Sequence, residues 1–255
     1  MKAIDESIFV TYSLGATISN KDGSIDTSAI QSICEQFKRL ISESSRRIRI
    51  ISAVGAGGLG RDYAKFASDH LKLPKSARSI IGIKASHVNA SLFAESLRNM
   101  GVVTNAVIPT SIEQANSYLK SSDFRVVVLG GLEQSMTCDS TAATIAKLSS
   151  NYPNFVIVST AGGILFESPR EGSKKRILPM IDSLYLKSVL KSKPKEHVFD
   201  IQTCKILLAK SSRNKALGMM KVAVTGYPNI LQVTRDLLRA KKNTTVIKNA
   251  TRVAL

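Results

Sequence analysis

Three glycine clusters, residues 55–60, 130–131 and 162–163, each sit directly behind an apolar run of β type. Glycine at a strand end lets the backbone come close to phosphate oxygens. The free N–H groups and dipole of a following helix then favour an anion. One such turn means little, because glycine is common at any tight strand-to-helix connection. Three at successive strand ends point to a crevice for a phosphate or a nucleotide. The chain has no Gly-Lys-Ser/Thr of a P-loop, and Gly55-Ala56-Gly57-Gly58-Leu59-Gly60 only approaches the Gly-x-Gly-x-x-Gly of dinucleotide-binding folds. The acidic residue that such folds place about 20 positions further on is missing.

The elements that must carry these turns follow from periodicity. Strands are expected at 8–12, 48–54, 102–108, 125–129, 155–160, 216–225 and 244–247. A helix capped by Asp26 or Thr27 carries Ile30, Ile33, Phe37, Leu40 and Ile41 at three-four spacing, and a second carries Tyr63, Phe66, Ala67 and Leu71. A third, at 81–100, turns Val88, Leu92, Phe93 and Leu97 inward. Further helices are expected at 111–120, 139–150, 200–210 and 230–240, and residues 164–197 read as loop with a helix around 179–190. Alternation of this kind implies an α/β fold, a three-layer αβα sandwich around a mostly parallel sheet. Residues 1–255 read as one domain. In a parallel sheet the three glycine turns share one edge, where ligands bind.

Composition narrows the function classes. Cys34, Cys138 and Cys204 are scattered and odd in number, and His70, His87 and His197 lie far apart, so neither a disulfide framework nor a zinc site is indicated. No apolar run reaches the roughly 18–20 residues of a membrane span, and residues 1–6 lack the apolar core of a signal peptide. A cytoplasmic protein is expected. The net charge is +17, and residues 170–252 alone hold 19 basic against 5 acidic side chains, or +14. Such a field suits a polyanion such as RNA or a ribonucleoprotein, and it equally suits solvated helix faces.

The order of these segments resembles the amino-acid kinase family, and within it the archaeal-type UMP kinases. Ala53-Val54-Gly55-Ala56-Gly57-Gly58-Leu59-Gly60-Arg61-Asp62-Tyr63 is similar to their glycine loop and following Arg-x-Tyr helix. Ile81-Gly82-Ile83-Lys84-Ala85-Ser86-His87-Val88-Asn89-Ala90 resembles their next helix, and Gly130-Gly131 through Thr137-Cys138-Asp139-Ser140 their Gly-Gly-Thr-x-Pro-Gly-x-Thr-Thr-Asp-Ala loop. Residues 159–169 stand where the family has Asn-Val-Asp-Gly-Val-Tyr, 200–205 resemble its Asp-Pro-Leu-Ala-x-Lys helix, and 244–247 its closing strand.

The resemblance implies the amino-acid-kinase fold with an acceptor-side first part and a nucleotide-side part from about residue 160. It implies ATP, with Mg2+, phosphorylating UMP, in a homo- or hetero-oligomer that in this family is commonly a hexamer. Carried over position by position, the nucleotide- and phosphate-binding candidates are Gly15, Gly55, Gly57, Gly58, Arg61 and Asn89, then Gly130, Gly131, Thr137, Asp139, Gly162 and Gly163. Asp139 and Lys205 are the candidates for catalysis. Plainer readings stand beside these. Asp139 is equally a helix cap, Lys205 a solvated surface lysine, Arg61 a partner in a salt bridge, Asn89 a buried hydrogen-bonding group, and His87 a satisfied half-buried histidine.

The sequence departs from the family pattern at its ligand end. Where a Gly-Gly-Ser turn belongs, the chain has Tyr12-Ser13-Leu14-Gly15-Ala16, which puts an isobutyl group at the expected phosphate contact and removes a hydroxyl. Leu132 to Met136 replace the Thr-x-Pro-Gly-x stretch and bring in Glu133; Gly162 replaces an Asp, Leu165 a Tyr, and His87 an Arg. The expectation is a diverged UMP-kinase-like protein, weak or inactive in phosphoryl transfer, that acts by binding nucleotide, RNA or ribonucleoprotein. The alternatives are an active nucleoside monophosphate kinase acting on UMP, or a subunit that pairs with an active relative.

Overall fold

The computed structural model describes residues 7–20, 22–150, 153–167, 175–178, 180–192, 200–209, 220–240 and 250–254. Its strands are β1 (Ile8–Gly15), β2 (Ile48–Val54), β3 (Val126–Leu129), β4 (Asn154–Val158), β5 (Leu165–Glu167), β6 (Lys175–Ile177), β7 (Met180–Asp182), β8 (Lys221–Thr225) and β9 (Ala250–Ala254). Seven of them form one sheet in the order β3-β2-β1-β4-β8-β9-β7, and β5 pairs with β6 as a separate antiparallel ribbon. Within the main sheet only the β8–β9 pairing is antiparallel. This is the expected three-layer α/β sandwich.

The helices are α1 (Thr27–Ser42), α2 (Gly57–Asp69), α3 (Lys75–Asn99), α4 (Ile112–Lys120), α5 (Cys138–Ser149), α6 (Ser183–Ser192), α7 (Ile201–Leu208) and α8 (Ile230–Arg239). Alternation along the strands divides the core in two. Val10, Tyr12 and Leu14 of β1 pack with Phe37 of α1, Phe93 and Leu97 of α3 and Leu237 of α8. Ile51 and Ala53 of β2 and Phe155 and Ile157 of β4 face the other way, onto Ala142 and Ile145 of α5, Leu186 of α6 and Leu207 of α7. At the centre of the first cluster the Tyr12 hydroxyl hydrogen-bonds Thr234 Oγ1 at 2.7 Å and its ring lies 4.7 Å from that of Phe37.

Several expectations need correction. Residues 102–108 form no strand beyond a bridge from Thr104 to Val126. The Asn105 side chain takes over the pairing: its Nδ2 donates to Val128 O and its Oδ1 accepts from Val128 N, so the backbone there need not. Val103 and Val107 are exposed. Val88 and Leu92 also point outward; α3 buries Ala85, Ser86, Asn89, Ala90 and Phe93 instead. Tyr63, Phe66 and Leu71 are exposed too, because α2 uses Gly58, Gly60 and Ala67 to reach its neighbours. The stretch around 179–190 is β7 followed by α6 rather than helix throughout. The strand expected at 244–247 lies outside the described residues, and β9 was not foreseen.

Candidate functional site

β1 lies between β2 and β4, so the chain leaves the centre of the sheet in both directions, and the carboxyl ends of these strands flank the crevice such a reversal creates. Gly15 closes β1 with a φ of +51°, and its carbonyl accepts from Gly55 N at 2.9 Å. A Cβ on Gly55 would lie 2.6 Å from that carbonyl oxygen, so glycine is required by the approach of two backbones. Asn89, buried within α3, donates from Nδ2 to Gly55 O at 3.0 Å. Gly57 has a φ of +59° and faces Ser19. Gly58 lies under the backbone of Gly23, in the loop between β1 and α1.

The turn after β3 is held by α3. Ser86 Oγ accepts from Gly131 N at 2.7 Å and donates to Ile83 O at 2.7 Å, and His87 Nε2 donates to Gly131 O at 2.7 Å. A Cβ on Gly130 would meet the His87 ring. Of the glycine N–H groups expected to meet phosphate, those of Gly55, Gly131 and Gly162 are therefore occupied, the last by Ser159 O at 3.0 Å.

Asp139 stands in the first turn of α5, behind its cap Thr137. Ser13 Oγ donates to Asp139 Oδ1 in a short hydrogen bond. Burial pushes the Asp139 carboxyl up to about 6; Ser13 opposes the shift and Asp200 adds to it. Thr137 Oγ1 donates to Asp200 Oδ2 at 2.7 Å, and Asp200 caps α7 by accepting from Thr203 N at 2.8 Å and Thr203 Oγ1 at 2.6 Å. The amino ends of α5 and α7 are thus joined cap to cap. Cys138 donates from Sγ to Ala53 O at 3.3 Å, and burial pushes its thiol up to about 12.

Sequence candidates that gather at this edge are Gly15, Gly55, Gly57, Asn89, Gly130, Gly131, Thr137 and Asp139. Arg61 and Lys205 fall elsewhere. Arg61 is exposed on α2 and makes no ion pair among the described residues, and Lys205 is exposed on α7, one turn past its cap. Gly162 and Gly163 follow β4 at this same edge, beside Gly226, the residue after β8, whose own Cβ position lies 3.3 Å from the Gly162 α-carbon. Leu14 corrects the sequence reading: it is fully buried in the core and places nothing in the crevice. The next hydroxyl along, on Thr17, is buried and donates to Val158 O at 3.0 Å, so it does not replace the one missing at Ala16. Ser13 and Ser86 were overlooked. Their signal was a polar side chain at an alternate strand position and a weak helix former inside a helix.

Between the ends of β2 and β3 and the first half of α3 lies a cavity of about 250 Å³. Val54, Ile83 and Met136 give it apolar walls, Ser79, Ser86 and Cys138 its polar side chains, and among the described residues none that lines it is charged. Asp139 and Asp200 are the carboxylates nearest a magnesium site, yet their oxygens serve Ser13, Thr137 and Thr203. No cluster of three or more metal-binding side chains occurs among the described residues. The described residues gather no ligand set for a magnesium ion here.

These strands build an open, mostly parallel α/β sheet with glycine turns around a switch-point crevice. Residues 15–197 match the sequence model of the amino acid kinase family, and the chain belongs to that family. It is 27% identical over 189 residues to the uridylate kinase of Sulfolobus acidocaldarius, covering 72% of this chain and 79% of that one. It is 31% identical over 159 residues to the uridylate kinase of Thermoplasma volcanium, covering 62% and 63%. The crystal structure of uridylate kinase from Archaeoglobus fulgidus superposes with a TM-score of 0.70 at 20% identity over 97% of this chain and 99% of that one. The protein is UMP-kinase-like, and no described helix is long and apolar enough to cross a membrane.

Proposed function

We propose that this UMP-kinase-like protein acts by binding, with phosphoryl transfer from ATP to UMP weak or absent. One observation carries the reading: two backbone donors of the glycine turns are bonded within the protein, Gly131 N to Ser86 Oγ and Gly55 N to Gly15 O, while among the described residues no lysine or arginine lines the adjoining cavity. Phosphoryl transfer depends on donors and cations aimed at the moving group, and losing one such donor costs on the order of 10²–10³ in rate. Several missing together reduce transfer toward background.

The test is UDP formation from UMP and ATP with magnesium by the purified chain. Turnover at or near background is expected. Rapid turnover establishes the alternative, an active nucleoside monophosphate kinase. The basic carboxyl-terminal part, +14 over residues 170–252, supports a second binding partner of polyanionic type, RNA or a ribonucleoprotein. Association that weakens steeply between low and moderate salt supports that half, and none at low salt removes it. Oligomer formation with itself or with an active relative is part of the same proposal, read by copurification and mass.

A further inference from the structure

The amino-terminal edge of the sheet, opposite the glycine turns, holds a cavity of about 420 Å³. Ile8 opens β1 and Ile48 opens β2, and with Leu40 of α1 and Leu238 of α8 they give it an apolar floor. Its charged walls are Glu43 and Arg46, from the connection between α1 and β2, and Arg235 and Arg239 of α8. At about 3.3 Å per residue, the length of β1 puts this cavity roughly 20–25 Å from the crevice at Gly15. It is a separate place.

Basic side chains at this edge have an ordinary task, because α1 and α8 end here and leave carbonyls bare. Other groups take up that task. Lys221 Nζ donates to Ala240 O at 2.7 Å and to Leu237 O at 3.4 Å, and the N–H groups of Glu43 and Ala240 close on Arg39 O and Asp236 O. Glu43, the one acid lining the cavity among the described residues, is paired with Arg39 at 2.9 Å and with Arg235. Arg46 and Arg239 are left over. Both are exposed, and neither side chain makes an ion pair or a hydrogen bond among the described residues.

Two guanidinium groups without partners, set in a concave wall, concentrate a positive field. Together they balance a phosphomonoester, which carries about two negative charges, and their planar forks suit its oxygens. The apolar floor suits a carbon skeleton attached to that phosphate, and 420 Å³ falls within the roughly 300–1,000 Å³ of small-molecule sites. A nucleic-acid strand asks instead for a groove of cations along its backbone, whereas these arginines surround a space for one small molecule. We infer that the cavity is a binding site for a small organic phosphomonoester, with its phosphate on Arg46 and Arg239 and its skeleton on Ile8, Leu40, Ile48 and Leu238. The site stands whether or not phosphoryl transfer occurs in the crevice.

Phenyl phosphate is the probe, followed by thermal unfolding at matched ionic strength and without magnesium, beside inorganic phosphate and a short oligouridylate. A ligand that binds the native state raises the midpoint. At about ten times its dissociation constant, phenyl phosphate is expected to raise it by roughly 3–5 °C, and inorganic phosphate at the same concentration by clearly less. The double variant Arg46→Gln, Arg239→Gln changes exposed side chains, so it keeps the unliganded midpoint and binds phenyl phosphate at least tenfold more weakly. Glu43→Gln frees Arg235 from its ion pair and should bind the probe several-fold more tightly, a gain that damaged folding cannot imitate.

An unchanged response in the double variant puts the phosphate elsewhere and overturns the inference. No response in the native chain, an equal response to inorganic phosphate, or looser binding by Glu43→Gln overturns it too. Oligouridylate binding that the double variant loses, with phenyl phosphate inert, gives this edge to RNA and sinks the small-molecule site.

Discussion

The α-carbon of Gly23 lies 2.1 Å from the point where a Cβ on Gly58 would sit. The turn at residues 22–24 therefore rests directly on the first turn of α2, over N–H groups that a helix start leaves without intrahelical partners. A methyl group at position 58 has to displace backbone, which has no flexible end to give way. Gly58→Ala is expected to cost about 1–3 kcal/mol by overpacking, read as a lower midpoint in urea. An unchanged midpoint would mean that the turn at 22–24 lifts freely.

Asp139 sets a pH dependence. Its carboxyl titrates near 6 in the folded chain and near the ordinary aspartate value when unfolded, so the folded state holds the proton more tightly. Stability from this residue is greatest at low pH, declines as pH rises between about 4 and 6, and reaches its minimum above that range. Asp139→Asn keeps an oxygen for Ser13 and removes the ionisation. It is expected to stabilise the protein by about 1–3 kcal/mol at pH 8 and by almost nothing at pH 4. Denaturant titrations at the two pH values decide it, and an equal effect at both refutes the assignment.

Arg49 is buried in β2 and donates to the carbonyls of Leu119 at 2.9 Å, Phe124 at 3.2 Å, Tyr118 at 3.3 Å and Ser121. Its guanidinium also lies 4.9 Å from the centre of the Phe9 ring. One planar group thus terminates α4 and fixes the turn into β3. Arg49→Ala strands several buried carbonyls and is expected to cost roughly 3 kcal/mol or more. Arg49→Lys, with a point charge in place of a fork, should recover only part of the loss. Full recovery with lysine would show that charge alone suffices.

Thiol chemistry offers an independent reading of the site. Burial pushes Cys138 and Cys34 up to about 12 and Cys204 to about 11. At pH 8 a thiol of pKa 12 is ionised in about one molecule in 10⁴, against roughly a quarter for an ordinary cysteine. Native protein treated with iodoacetamide should stay unlabelled over the time that modifies a free thiol, and all three sites should react after unfolding. Mass spectrometry counts the labels, and one fast native site at residue 138 contradicts the bonding described for it.

Much of the fold could be read from the chain because each core strand repeats with period two and the capped helices α1, α5 and α7 announce their starts at Asp26, Thr137 and Asp200. Residues 102–108 were misread because a single buried Asn105 supplies through its side chain the hydrogen bonds a strand would supply through its backbone. On α3 the inward Phe93 and Leu97 were legible, but Val88 and Leu92 point outward and the first half of the helix buries Ala85, Ser86, Asn89 and Ala90 in their place. At the site, glycine positions marked the right edge of the sheet. Whether their N–H groups were open or engaged could not be read from them, since that depends on Ser86, which is contributed by another element.

The two ends of α5 and α7 are fastened separately. Thr137 bonds Asp200 at their starts, and at their finish the Lys147 ammonium donates to Ile206 O and to Ala209 O at 3.2 Å. Two rods pinned at both ends shift as a single lever. α7 is thereby tied through α5 to Asp139, and Asp139 to Ser13 at the centre of the sheet.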